Sequence, residues 1–229
     1  MYYNIYMNAG NIAKKTLDYR TLFRRYMKGE IRLQLYQQVG IVLLTVVFAG
    51  FFGWLYEFVF YYFDGGMNKF YMQGGNFLPW MNIYAIGAII ILILVQVMRL
   101  RSRPWLVFLV AILATGILEL LAGWLVYTIG NGTRYWDYNT EILNFGNIGG
   151  FVCLRSVLVF GVSALMLVYL IVPFFVMLAK KMSKRAFLTL SIFLFSAVIL
   201  DETVNLILKN CNLPTAMDFY RSLGLDYYP

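Results

Sequence analysis

The chain is 229 residues long, 61% of them hydrophobic and only 13% charged, with a mean hydropathy of +0.69. A soluble domain carries about 25% charged residues, so this composition excludes a water-soluble globule and points to an all-α, polytopic membrane helix bundle. A net charge of +8 would suggest nucleic acid in a soluble protein, but here the cations cluster beside apolar runs and read as topology signals; no nucleic-acid partner is expected.

Residues 1–37 form a basic segment. From about Asn11 to Gln37, apolar and aromatic residues (Leu17, Tyr19, Leu22, Phe23, Tyr26, Met27, Ile31, Leu33) are mixed with Lys14, Lys15, Arg20, Arg24, Arg25, Lys28 and Arg32. This is the pattern of an amphipathic helix lying on an anionic inner leaflet. The first apolar run starts too late for a cleavable signal peptide, so the first span is expected to be an uncleaved anchor.

Five runs reach the ~20 residues that a bilayer crossing needs. They lie near Gln38–Phe63, Trp80–Met98, Pro104–Ile129, Phe151–Leu178 and Ala186–Leu208, giving a five-helix transmembrane domain over residues 38–208. The connections alternate in charge. Arg99, Arg101 and Arg103 mark one side, with Lys180, Lys181, Lys184 and Arg185; the others balance Lys69 against Asp64, and Arg134 against Asp137 and Glu141. The positive-inside rule then predicts a cytoplasmic N-terminus and an extracytoplasmic tail over residues 209–229.

Ionisable residues inside these runs are costly, ~2.5–3.5 kcal/mol each on insertion scales, and so must face other helices or water. Glu57, Glu119, Arg155, Asp201 and Glu202 all fall at a similar level in the outer half. A shared polar chamber is the expectation. Gly50, Gly53 and Glu57 share a helix face, as do Gly116, Glu119 and Gly123, and small residues let helix backbones approach in lipid. Trp54, Tyr56, Trp80, Tyr84, Trp124, Trp136 and Tyr138 crowd the same boundary, either as an interfacial belt or as the lining of a cation cage.

The outer loops are rich in glycine and aromatics. Phe63–Pro79 carries Gly74-Gly75-Asn76, and Gly130–Gly150 carries Trp136-Asp137-Tyr138 and Asn147-Ile148-Gly149-Gly150. Both are expected to fold over the chamber. A short echo, Gly53-Trp54-Leu55 against Gly123-Trp124-Leu125, would fit a duplicated helical hairpin. The absence of histidine removes imidazole chemistry, and two cysteines, Cys153 and Cys211, are too few for a thiolate cage; neither metal nor cofactor is expected.

The ordered set Gly53-Trp54-Leu55-Tyr56-Glu57, Leu78-Pro79-Trp80-Met81-Asn82-Ile83-Tyr84 with Gly87, Glu119 in its glycine-flanked helix, Trp136-Asp137-Tyr138-Asn139, and Asn147-Ile148-Gly149 through Cys153-Leu154-Arg155-Ser156 to Gly161 resembles the ABC-transporter permease family of CmpB type. The likeness runs from about residue 40 to residue 165. Phe160 stands where that family commonly has tryptophan, and Asn139 where it commonly has serine. The resemblance implies a transporter-like membrane protein. No Walker motif occurs, so any ATPase would be a separate chain or subunit.

Two classes of function follow, with a third as the bland alternative. In the first, a transport or solute-binding component, Glu57, Glu119, Arg155 and Asp201 hold a small polar or cationic solute. Trp54, Tyr56, Trp80, Tyr84, Trp136, Asp137, Tyr138 and Asn147 would then complete the lining. In the second, a carboxylate pair serves as general acid and base on a lipid-linked or amphiphilic substrate. The third is a membrane scaffold whose charges only join helices.

Overall fold

The computed structural model describes residues 19–67 and 70–227. Residues 11–18 of the basic segment and Lys69 lie outside the described residues. The chain forms α1 (Tyr19–Met27), α2 (Leu35–Asp64), α3 (Asn82–Val97), α4 (Pro104–Ile129), α5 (Leu154–Met166), α6 (Val172–Lys181), α7 (Lys184–Asn210) and α8 (Ala216–Ser222). Two short strands, β1 (Tyr71–Met72) and β2 (Asp226–Tyr227), pair in parallel.

Among the described residues, four continuous helices are long and apolar enough to cross a membrane: α2, α4, the run Leu154–Lys181 formed by α5 and α6, and α7. Their large apolar side chains point outward. Leu113, Ile117, Leu121, Phe193 and Leu200 are all more than half exposed, a surface that lipid covers and water would not. The α5–α6 run contains a π turn at Leu167–Ile171. Pro173, just past it, has no N–H to donate to the preceding turn, and the widened turn accommodates that missing bond.

The expected second span, Trp80–Met98, contains a helix shorter than the other spans. Its helix, α3, has only 16 residues, short of the ~20 for a full crossing, because Gly74–Met81 is not helical. This segment folds inward: Met81 N donates to Gly50 O at 3.1 Å and the Trp80 indole N–H reaches Val46 O at 3.4 Å. The α3 helix therefore begins beside the middle of α2, which continues from Gly53 to Asp64 for about 16 Å at 1.5 Å per residue. Gly50 and Gly53 make the approach possible, since a Cβ on either would overlap the Trp80 indole or the Tyr84 ring. Gly74 and Gly75, both at positive φ, turn the chain into the descent.

Backbone at that depth must be satisfied by protein. Asp201 of α7 does this: its Oδ1 accepts from Phe77 N at 3.2 Å and its Oδ2 from Leu78 N at 2.7 Å. Asn76 donates to Glu202 Oε1 at 3.1 Å, and the Tyr220 hydroxyl donates to Phe77 O at 2.6 Å. Residues 209–227 thus pack over this loop through α8 and the β1–β2 pair. Asn205 joins them by donating to Asp201 Oδ1 and accepting from Ala216 N, at 3.1 and 3.0 Å.

The main apolar core fills the end of the molecule that carries the basic connections. Leu22 and Tyr26 of α1 are buried there with Leu44, Val95, Val107, Phe175, Val176 and Phe187. The described part of the basic segment is thus docked by one apolar face, with Arg20, Arg24 and Arg25 exposed. Gln37 donates to Ala179 O at 2.8 Å and Lys180 to Arg32 O at 2.8 Å, fixing the entry to α2. Filling one end with apolar side chains leaves polar groups concentrated at the other.

Candidate functional site

At that other end α2, α3, α4, α5 and the loop between α4 and α5 enclose a polar cavity of about 90 Å³. Water occupies ~30 Å³ per molecule, so the space suits a small headgroup or a few waters. Its walls include Tyr56, Glu57, Phe60 and Tyr61 of α2, Tyr84 of α3, Glu119 of α4, and Arg155, Ser156 and Phe160 of α5. Tyr135, Trp136, Tyr138 and Glu141 close it from the loop.

The loop holds its shape through its own backbone and through α2. Tyr138 N donates to Gly150 O at 3.1 Å, Gly150 N to Asn147 Oδ1 at 2.8 Å, and the Trp136 indole to Phe151 O at 2.9 Å. Ile142 N donates to Asp64 Oδ1 at 2.6 Å, tying the loop to the end of α2. Gly150 has φ +80, and a Cβ there would collide with Asn139, Arg134 and Asp137.

Hydrogen-bonded groups centred on Glu119, Glu141 and Glu57 line the cavity. Glu119 accepts from the Tyr138 hydroxyl at 2.6 Å and from the Ser156 hydroxyl at 2.7 Å. Glu141 accepts from Arg155 Nη2 at 2.5 Å and from the Tyr61 hydroxyl at 3.0 Å. Glu57 accepts from the Tyr84 hydroxyl. Arg155 also lies over the Phe60 ring, 3.9 Å from its centroid, and 5.3 Å from that of Tyr138. Its Nε and Nη1, both buried, have no hydrogen-bond partner among the described residues.

Burial pushes the Glu141 carboxyl above its ordinary range, with the Arg155 guanidinium and the Tyr61 hydroxyl pulling back toward the charged form. Burial, together with the Glu119 carboxylate, raises the Tyr138 phenol, which stays a donor to Glu119. With Glu141 paired to Arg155, Glu57 and Glu119 form no ion pair among the described residues and accept from hydroxyls instead. Such a cavity can hold a positive group, with tyrosine and phenylalanine faces around it.

The structure brings together Glu57, Glu119, Arg155, Tyr56, Tyr84, Trp136 and Tyr138. It separates Asp201, which secures the inward-folded loop, and Glu202 with it. Trp80 is also outside the cavity, packed on α2, and Trp54 stacks on Phe58 at 5.0 Å along its own helix. Asp137 and Asn147 shape the loop: Asp137 Oδ1 accepts from Asn139 N at 3.0 Å, and Asn147 donates to Asn139 Oδ1 at 2.8 Å. Cys153, buried, and Cys211, exposed, are both free.

Glu141, Tyr61 and Ser156 belong to the cavity although the sequence reading did not select them as site residues. A loop acid looks like a solvated charge in sequence, and nothing local announces that Glu141 is 5% exposed. Ser156 carried a weak signal, since it follows Arg155 and lies one turn into α5.

A helical bundle with four apolar spans and a buried polar cavity at one end is the architecture of a multi-pass membrane protein. The model of the CmpB-type family described as "Putative ABC-transporter type IV" matches residues 44–206, and the chain belongs to that family. The match extends past residue 165, through the α5–α6 run and into α7, so it takes in Asp201 as well as the cavity. Family and helices together support a membrane transport component. No curated protein and no solved structure matches the chain.

Proposed function

We propose that the chain is the solute-binding membrane component of a transporter, with the polar cavity taking a small positively charged group from the extracytoplasmic side. One observation carries this reading: three carboxylates, Glu57, Glu119 and Glu141, line a cavity with one arginine. Pairing Glu141 with Arg155 leaves two acids for a ligand. Buried charge without a partner is expensive, so a cation entering the cavity improves the balance at Glu57 and Glu119. The surrounding aromatic faces add a cation–π contribution of ~0.5–2 kcal/mol.

The proposed topology keeps five crossings, with the N-terminus inside. The α3 helix and the inward-folded loop before it together make the second crossing, and the cavity then opens outward. The basic end faces the anionic inner leaflet. An ATPase, where one drives transport, is a separate chain contacting this face.

The test is to make Glu57→Gln and Glu119→Gln and to measure thermal stability and retention of a co-purifying solute by native mass spectrometry on the same preparations. The amide keeps the volume and part of the hydrogen bonding while removing the charge. Retention should collapse while the melting temperature stays near that of the parent. Loss of stability with unchanged retention would instead assign these acids to a scaffold role. Turnover of a substrate by the purified chain alone would favour an enzyme.

A further inference from the structure

A second cavity lies on the other side of Tyr56, Tyr84 and Phe160, which line both spaces. It is about 270 Å³ in volume and almost entirely apolar, bounded by Ala49, Phe52, Ala88, Ile91, Leu167 and Ile171 among others. The hydroxyl of Thr115 on its wall is satisfied by Ala111 O at 2.8 Å. An apolar cavity of ~150 Å³ stays dry and accepts benzene, so a space of this size and lining suits hydrocarbon and not water.

Gly87 gives independent support. It is buried in α3 and lines the cavity, yet a Cβ built on it would meet nothing within 4 Å. Glycine disfavours helix relative to alanine. At Gly50 and Gly53 close packing accounts for that residue; at Gly87 it does not, and what glycine preserves there is the open space. The cavity also reaches the lipid-facing surface, because two of its lining residues, Phe52 and Met166, are 43% and 48% exposed.

The polar cavity above offers both signs of charge. Glu57 and Glu119 suit an ammonium group, while Nε and Nη1 of Arg155, a residue only 9% exposed, have no acceptor among the described residues. A phosphate oxygen supplies one. The geometry points to a single-chain zwitterionic phospholipid as the ligand, its ammonium-phosphate head in the polar cavity and its acyl chain in the apolar one. This rests on the solute-binding reading and deepens it, replacing a free solute with an amphiphile that enters sideways from the bilayer. The Tyr84 ring, stacked on Phe160 with centroids 5.3 Å apart, is the partition that must turn to join the two spaces.

The experiment uses the full chain in non-ionic detergent, titrated with lysophosphatidylethanolamine and, separately, with phosphoethanolamine as the head alone, with stoichiometry read by native mass spectrometry. One lysophosphatidylethanolamine should bind per chain, at least tenfold more tightly than phosphoethanolamine. Gly87→Leu and, from the facing wall, Ser163→Leu should weaken the lysophospholipid at least tenfold and leave phosphoethanolamine unchanged. Unchanged lysophospholipid binding in both variants overturns the assignment of the chain to the lower cavity. Equal affinity for the two probes also overturns the inference while leaving the solute-binding reading intact, which stands or falls on Glu57→Gln and Glu119→Gln. Wild-type protein alone provides a further check: affinity should rise with acyl length and then level off. Affinity independent of acyl length, or no saturable binding of the lysophospholipid, would likewise sink the proposal.

Discussion

Asp201→Asn distinguishes a structural acid from a ligand-binding one. The carboxylate accepts Phe77 N through one oxygen and Leu78 N through the other, and also the Asn205 amide. An asparagine presents one oxygen and one NH2, so whichever way it turns, one backbone N–H of the inward-folded loop faces a donor. Hydrogen bonds to a charged partner contribute ~1.5–3 kcal/mol each, and one is lost. At ~2–4 °C per kcal/mol for a chain of this size, the melting temperature should fall by about 3–12 °C. Differential scanning fluorimetry measures the fall, with retention of the co-purifying solute followed on the same sample. Because Asp201 is outside the polar cavity, retention by the folded fraction should match the parent's. A variant as stable as the parent that has lost its solute would refute the assignment of Asp201 to the loop.

Glu141→Gln should be the more damaging change, since it leaves Arg155 buried without its counter-charge, at a cost of ~3–5 kcal/mol. Combining it with Arg155→Met should recover much of the loss in a thermal melt, whereas additive losses would show that the pair does not act as a unit. A reporter fused at the C-terminal end should read extracytoplasmic and one inserted between Arg99 and Arg103 cytoplasmic; both on one side would remove the five-crossing proposal.

How much of this was readable beforehand depended on whether a residue's partner left a trace in sequence. Glu57, Glu119 and Arg155 are isolated charges in apolar runs, and counting helix rise from the ends placed them at one level. That argument holds wherever the helix is continuous. Asp201 met the same criterion, but its partners are the main-chain N–H groups of Phe77 and Leu78, and a backbone donor carries no sequence signature. The same loop explains why α3 is shorter than the apolar run that contains it. Apolarity runs on through Trp80 and Met81, while what ends the helix is the descent of the chain toward Gly50, which only a tertiary contact defines. Glu141 failed for the opposite reason: it sits in a loop, where an acid is ordinarily solvated, and only the fold of residues 130–153 buries it.

The two polar clusters differ in how completely they are satisfied within the described residues, and on the proposed reading this separates a ligand site from a structural support. Around Asp201 both carboxylate oxygens, the Asn76 and Asn205 side chains and the Tyr220 hydroxyl all have partners within the protein. Such a network holds a loop and has nothing left to offer. Around Glu119 and Arg155, two guanidinium nitrogens lack acceptors among the described residues, and Glu57 and Glu119 form no ion pair there. Apolar interiors magnify the cost of each unmet group. The fold places these acids on glycine-flanked helix faces and encloses them with an aromatic loop, which narrows the space around them. On the proposed reading, the group that completes the balance comes from outside the chain and carries both a positive charge and an oxygen acceptor, the chemistry of the head that the further inference places there.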